Sequence, residues 1–224
     1  METPELPPGI RELPVVGGDL ALDFANTVDD PLGPERHDHV AGYHGLLWWS
    51  VRVGVLTEPD ADRLLRRSAR RRTEPIVREA HQLRTAINLA AGAVADARAA
   101  TASPAASADG ASAGAATVGA WGLPGWDELR GIAGQAVQES ELVQLRPVWA
   151  FETLESPLWP VASAAYELLT GPRALRIKRC AGCPWLFLDQ SKNGSRRWCS
   201  MEICGTNEKM RRYVSKRAAR RAQT

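Results

Sequence analysis

The chain contains four cysteines, and all of them fall between positions 180 and 204. The pattern is Cys180-x2-Cys183, a gap of fifteen residues, then Cys199-x4-Cys204. Two close pairs joined by a loop are what a tetrahedral S4 metal site requires, because each pair sits on a turn that aims two sulfurs inward. Four thiolates fill every position, so no site is left for water or substrate, and the metal is structural. A segment of about 45 residues rarely builds a self-sufficient core, so a bound ion would supply its folding free energy. Zinc is the expected ion. Iron with the same ligands, two disulfides or free thiols are the alternatives.

Charge divides the chain at the same place. From Arg176 onward there are thirteen Lys and Arg against three acids, a net +10, while residues 1–175 carry −8. Charge balance at a Zn(Cys)4 site uses about two cations, far fewer than +10. The expected partner of the tail is a polyanion, and a solvated charged face is the plainer reading. Asn193-Gly194 is a turn signal that would put Lys192, Arg196 and Arg197 at or beside a loop tip. After Cys204, a helix is expected over 206–221. Met210, Val214 and Ala218 form an apolar row at four-residue steps, with Tyr213 beside it. Lys209, Arg212, Lys216 and Arg220 form a parallel basic row that Arg211 broadens. Trp185-Leu186-Phe187-Leu188 and Trp198 read as a mini-core around the metal.

The body has enough apolar residues, at 44% for the whole chain, to bury a sizeable core. Leu20 to Val28 is apolar but too short for its period to separate strand from helix. Helices are expected from Tyr43 to Val53, with Gly54 as the stop, and after Thr57, with Asp60 completing an imperfect capping box. Ile76, Ala80, Leu83, Ile87, Ala91 and Val94 make one apolar stripe over five turns. Residues 99–120 contain eleven Ala and one bulky aliphatic side chain, Val118, and read as a flexible insertion. Another helix is expected over 126–136. Residues 141–152 have strand character, with Pro147 marking an edge or bulge. A further helix opens at Ser156-Pro157 and closes at Gly171-Pro172.

Asp23 and Asn26 are polar residues inside an apolar run. They are candidates for ligand contact, or for capping a helix and satisfying buried backbone groups. His37, His39 and His44 could form a metal cluster, but they lie in a Pro-, Gly- and Asp-rich loop, and the loop reading is the plainer one. No phosphate loop, nucleophile elbow or His-Glu metal motif is present, so a catalytic role is not expected. The start of the chain lacks the pattern of a secretory signal and no apolar run is long enough to span a bilayer, so a cytoplasmic protein is expected.

These residues bear a resemblance. Arg176-Ile177-Lys178-Arg179-Cys180, Trp185-Leu186-Phe187-Leu188-Asp189, Asn193-Gly194-Ser195-Arg196-Arg197-Trp198-Cys199-Ser200 and Cys204-Gly205 resemble the CGNR-type zinc finger. Leu20-Ala21-Leu22-Asp23-Phe24-Ala25-Asn26-Thr27 resembles the opening of the ABATE domain that usually precedes that finger. The sequence departs from the signature at one place, where Thr206-Asn207 stands for the family's Asn-Arg.

The resemblance implies an α+β, helix-rich N-terminal domain over 1–172 with a small sheet, then a zinc finger over 173–224 ligated by Cys180, Cys183, Cys199 and Cys204. It also implies a stress-linked transcription regulator. DNA contacts are expected from Lys192, Arg196, Arg197, Lys209, Arg211, Arg212 and Lys216. The body would sense a small molecule or protein, with Asp23 and Asn26 as its candidate contacts, and a homodimer is a further expectation. The rival readings are a protein-interaction module and an enzyme with its site in the body. Two separate domains would let Cys199→Ser unfold the tail alone.

Overall fold

The computed structural model describes residues 6–31, 37–101 and 122–221. Eight α-helices and two small antiparallel sheets account for the regular structure of these residues. The expected α+β, helix-rich class is what is found.

The run at Leu20 is a helix. After a short helix α1 (Pro8–Glu12), α2 (Leu20–Ala25) starts at Asp19, whose carboxylate accepts from the Ala21 N–H at 3.1 Å. Ala21, Leu22, Phe24 and Ala25 are all buried. A helix covered on most sides shows no amphipathic period, which is why the sequence pattern was ambiguous. The Phe24 ring meets Trp49 of α3 (Tyr43–Arg52) at 5.0 Å between centroids. Gly54, just past the α3 C-cap, takes φ +75°, a conformation glycine adopts without penalty.

α4 (Glu58–Ser68) has a complete capping box. Thr57 Oγ1 accepts from Asp60 N–H, and the Asp60 carboxylate accepts from Thr57 N–H. Leu64 is buried, Leu65 is half-buried, and Arg63, Arg66, Arg67 and Arg70 face solvent. α5 (Glu74–Thr101) is the spine. Its stripe of Ile76, Ala80, Leu83, Ile87 and Ala91 is buried, with Val94 half-buried. At 28 residues it is about 42 Å long and packs against α2, α3 and the elements that follow. It takes in the first three residues of the Ala-rich stretch; positions 102–121 lie outside the described residues.

α6 (Trp126–Gln138) and α7 (Trp159–Thr170) pack on each other and on α5. Pro160 falls in the first turn of α7, where a missing N–H is tolerated, and Gly171 caps its end. Between them the stretch 141–152, expected to have strand character with Pro147 at an edge or bulge, lies mostly in a hairpin. β1 (Ser140–Val143) pairs antiparallel with β2 (Arg146–Trp149), and Leu142 faces Pro147. The turn residues Gln144 and Leu145 both have positive φ, 50° and 62°. That geometry belongs to a two-residue primed turn, which usually announces itself with Asn-Gly, and neither residue here carries that signal. Trp149 ties the hairpin down through Nε1–H to Ala136 O at 2.8 Å.

A 3-10 turn, Pro172–Arg176, leads into β3 (Ile177–Arg179), which pairs antiparallel with β4 (Leu186–Leu188). A π-helical turn (Met201–Gly205) then feeds α8 (Thr206–Arg221). The β3–β4 hairpin is seated on the body. Ile177, Leu186, Phe187 and Leu188 are buried in one continuous core with Leu22, Phe24 and Leu83. Residues on the two sides of position 172 thus share apolar packing. Among the described residues no helix is long and apolar enough to cross a membrane.

Candidate metal centre

The four Sγ atoms lie within 4.8 Å of one another. Cys183–Cys199 and Cys199–Cys204 are each 3.6 Å apart. Four sulfurs about 2.3 Å from a tetrahedral zinc ion would stand about 3.8 Å apart, so the cage has the right size. Cys180, Cys199 and Cys204 are buried and Cys183 is half-buried. Backbone N–H groups of Gly182 and Cys199 point at Cys180 Sγ, at 3.4 and 3.3 Å, and stabilise a thiolate there.

The protons of the cluster are unevenly held. Cys180 lies far below the ordinary thiol range because Cys183 and Cys199 donate to it. Cys183 is pushed up to about 12, chiefly by its bond to Cys180, and Cys199 is raised further by both neighbours. Four crowded thiols cannot all ionise unless a cation neutralises them. A divalent soft-ligand ion does so, and the donor set, the spacing and the closed geometry assign one structural Zn²⁺.

The local framework explains the cage. Cys180 N–H bonds Trp185 O at 2.9 Å and Ala181 N–H bonds Arg197 O at 2.9 Å, so the two halves of the knuckle are laced together. The loop 189–197 is wound around one carboxylate. Asp189, fully buried, accepts from Ser191 N, Ser191 Oγ, Arg196 N and Lys178 Nζ. Burial would raise its pKa, but these donors win and hold it well below the usual carboxylate range. Lys178 Nζ also donates to Gly194 O and Arg196 O, and Arg176 Nη1 to Ser191 O. In the sequence Lys178 and Asp189 stand only as parts of the finger's motif, and their pairing is not foreseen there. The available signal was an Asp two residues before a Ser, next to a turn, in a segment otherwise rich in cations.

The predicted DNA contacts divide into two groups. Lys192, Arg197, Lys209, Arg211 and Arg212 are exposed. Arg211 and Arg212 share Glu208 within α8. Arg196 is turned inward. Its guanidinium donates to Trp198 O and Cys199 O and lies over the Phe187 ring, 4.9 Å from the centroid. Lys216 lies on α8. Thr206 and Asn207, where the family has Asn-Arg, are the exposed first residues of that helix.

Asp23 and Asn26 have internal partners. Asp23 Oδ1 accepts from Gly17 N at 2.7 Å. Burial raises its pKa to about 6, helped by Asp19 and opposed by the Gly17 bond. Asn26 Nδ2 donates to Leu186 O at 2.8 Å and its Oδ1 accepts from Leu186 N at 3.1 Å. Trp185 Nε1 donates to Val28 O, Leu188 N to Gly17 O, and Gln190 Nε2 to Gly18 O. A Cβ at Gly17 would stand 2.7 Å from Asp23 N, so that position requires glycine. Arg179, beside the first metal ligand, pairs with Asp96 of α5 through two bonds of 2.7 and 2.9 Å.

His37 and His39 meet edge to face at 4.6 Å between ring centroids, and His39 bonds Asp29 and Gly9 O. His44 lies on α3, not in a loop, and bonds Trp48, and among the described residues the three form no metal-holding cluster. Trp49 is core. Elsewhere, a cleft of about 600 Å³ opens between α5 and the start of α6, lined by Asp38, Arg78, His81, Arg84, Gly125 and Glu128 among others. Arg84, itself buried, forks onto Asp38 and reaches Thr27 Oγ1 at 3.1 Å. Burial would raise the Asp38 pKa, but Arg84, then the Val40 N–H bond and then His81 hold it below the usual range.

Two family matches cover most of the chain. Residues 18–172 match ABATE, described as a putative stress-induced transcription regulator, and residues 176–217 match the CGNR zinc finger. No curated relative matches it. With one family spanning well over half of its length and the finger's four ligands in a closed cage, the chain belongs to the ABATE family and ends in a CGNR zinc finger.

Proposed function

We propose that the protein is a DNA-binding regulator rather than an enzyme. Its finger contacts phosphates through Lys192, Arg197, Lys209, Arg211, Arg212 and Lys216. Its body senses a small molecule or a partner. One observation carries the first half: α8 grows directly from the metal site, its main packing partner is the π-helical turn that holds Cys204, and it keeps Lys209, Arg211 and Arg212 in solvent. The metal therefore fixes the direction in which these cations point. Arg196 drops out of the contact set and serves as a brace for the metal loop, a role that favours specific geometry over added affinity. The cleft at Asp38, His81 and Arg84 supports the sensing half, because it is concave and has polar groups already oriented by an ion pair.

The experiment is fluorescence anisotropy with random-sequence duplexes over a salt series. With about five phosphates neutralised, log K should fall against log salt with a slope near −4.5. Replacing Lys209 and Arg212 by Gln should flatten the slope by roughly 2. Binding that ignores salt between about 50 and 200 mM, or no binding at all, would overturn the proposal.

A further inference from the structure

Residues 63–72 hold six arginines and no acid, in a body that is otherwise acidic. They are six of the fifteen basic residues in positions 1–175, and without their +6 those positions carry −14 rather than −8. All six are exposed. Arg63, Arg66 and Arg67 lie on one face of α4, opposite the inward Ala61 and Leu64. Arg70, Arg71 and Arg72 follow in the connection that leads to α5. Arg63 pairs with Asp60, and Arg72 stands 3.9 Å from Glu74. Among the described residues, Arg66, Arg67, Arg70 and Arg71 have no ion-pair partner. The negative end of the α4 dipole accommodates a cation or two at this place, but six crowded guanidinium groups still repel one another.

The geometry points to this cluster as a second phosphate-binding surface, by which the body holds the DNA backbone at a distance from the finger; the inference rests on the DNA-binding reading above. What lies between the arginines selects this occupant. Only Ser68 and Ala69 separate Arg67 from Arg70, while Leu64 is buried and Leu65 half-buried. A stable hold on a lipid surface needs an apolar or acyl anchor besides the cations. A protein interface takes its affinity from apolar and aromatic anchors at its centre. The cluster presents neither. A phosphate backbone asks only for cations in solvent, because release of its counterions drives the binding, and the guanidinium fork suits phosphate oxygens. Spacing supports a single shared duplex. α5 starts at Glu74, just past the cluster, and its Asp96 pairs with Arg179 beside the first metal ligand. The helix between those two positions spans about 33 Å, close to the ~34 Å of one turn of B-DNA.

The test uses the zinc-loaded full-length protein and fluorescence anisotropy over a salt series, with duplexes of about 10 and about 30 base pairs. The shorter duplex, about 34 Å long, reaches one surface at a time, and its slope of log K against log salt should stay near −4.5. The longer one should engage about nine phosphates, with a slope near −8. Arg66→Gln, Arg67→Gln, Arg70→Gln and Arg71→Gln combined should return that slope to about −4.5, with zinc content and circular dichroism unchanged. The corresponding four Arg→Lys changes should keep it near −8. Lys209→Gln with Arg212→Gln should flatten the slope by roughly 2 in either background. A failure of the finger reading therefore shows separately, as a slope that the cluster variant moves and the finger variant does not. A slope on the longer duplex that the four glutamines leave unchanged would overturn the proposal. So would a four-glutamine variant that loses binding to phosphatidylserine vesicles while its DNA slope stays as in the parent protein. No binding to either duplex would overturn both readings.

Discussion

Asn26 holds the finger to the body, and Asn26→Ala tests how much that junction is worth. The side chain is 1% exposed and pairs with both backbone groups of Leu186, which is itself fully buried. Truncation removes two hydrogen bonds worth about 1 kcal/mol each. It also strands a buried N–H and a buried C=O, at about 1–3 kcal/mol each unless water enters. Partial relaxation brings the expected loss to about 3 kcal/mol. For a chain of this size that lowers Tm by about 6–12 °C. Urea unfolding followed by ¹⁹F NMR of fluorotryptophan-labelled protein is the assay: the chain has eight tryptophans, and resolved signals let Trp49 report the body and Trp185 the finger. The midpoint should fall with the slope unchanged, and both reporters should move together. A loss below about 1 kcal/mol, or a Trp185 transition that separates from that of Trp49 in the native protein, would refute the reasoning.

Further outcomes follow from the same geometry. Asp23→Asn should stabilise the protein by about 1–2 kcal/mol at pH 7 and by nothing near pH 4. The folded carboxyl titrates at about 6 against an ordinary 3.8, so the unfolded chain loses its proton first and the native protein loses stability as pH rises between those values. Paired denaturation curves at the two pH values check this. Lys178→Met should cost about 3 kcal/mol, because it leaves the Asp189 carboxylate buried with its ion-pair partner gone; calorimetry reads the loss. Metal analysis should find one zinc per chain, and less than about half in Cys199→Ser. Two independent domains would let that variant spare the body. The shared core predicts instead that the Trp49 transition also moves to lower urea.

Features decided by neighbours in sequence were legible. The Thr57–Asp60 box, the Gly54 and Gly171 stops and the α5 stripe each lie within a few residues of their cause, and the structure contains them. The cysteine cage was legible for the same reason, since each pair is a local turn. The hairpin at Gln144-Leu145 was hidden because a positive φ there is carried by residues that do not advertise it. The inward turn of Arg196 was hidden because an arginine beside a metal loop reads the same whether it faces solvent or the Cys199 carbonyl. The job of Asn26 was half-legible. A polar residue in an apolar run demands a partner, but a partner 160 positions away leaves no trace in local pattern.

That separation has a consequence in time. A chain is made from its N-terminus at about 5–20 residues per second, so roughly 10–30 s pass between the synthesis of Asn26 and that of Leu186. During this interval α2 can already pack on α5, yet the Asn26 amide and the Gly17 and Val28 carbonyls lack the partners that will cover them. The last strand to be made, β4, closes over α2, one of the first helices to be synthesised. Nascent ABATE bodies therefore wait, open along this seam, for a strand whose flanking cysteines must also find zinc.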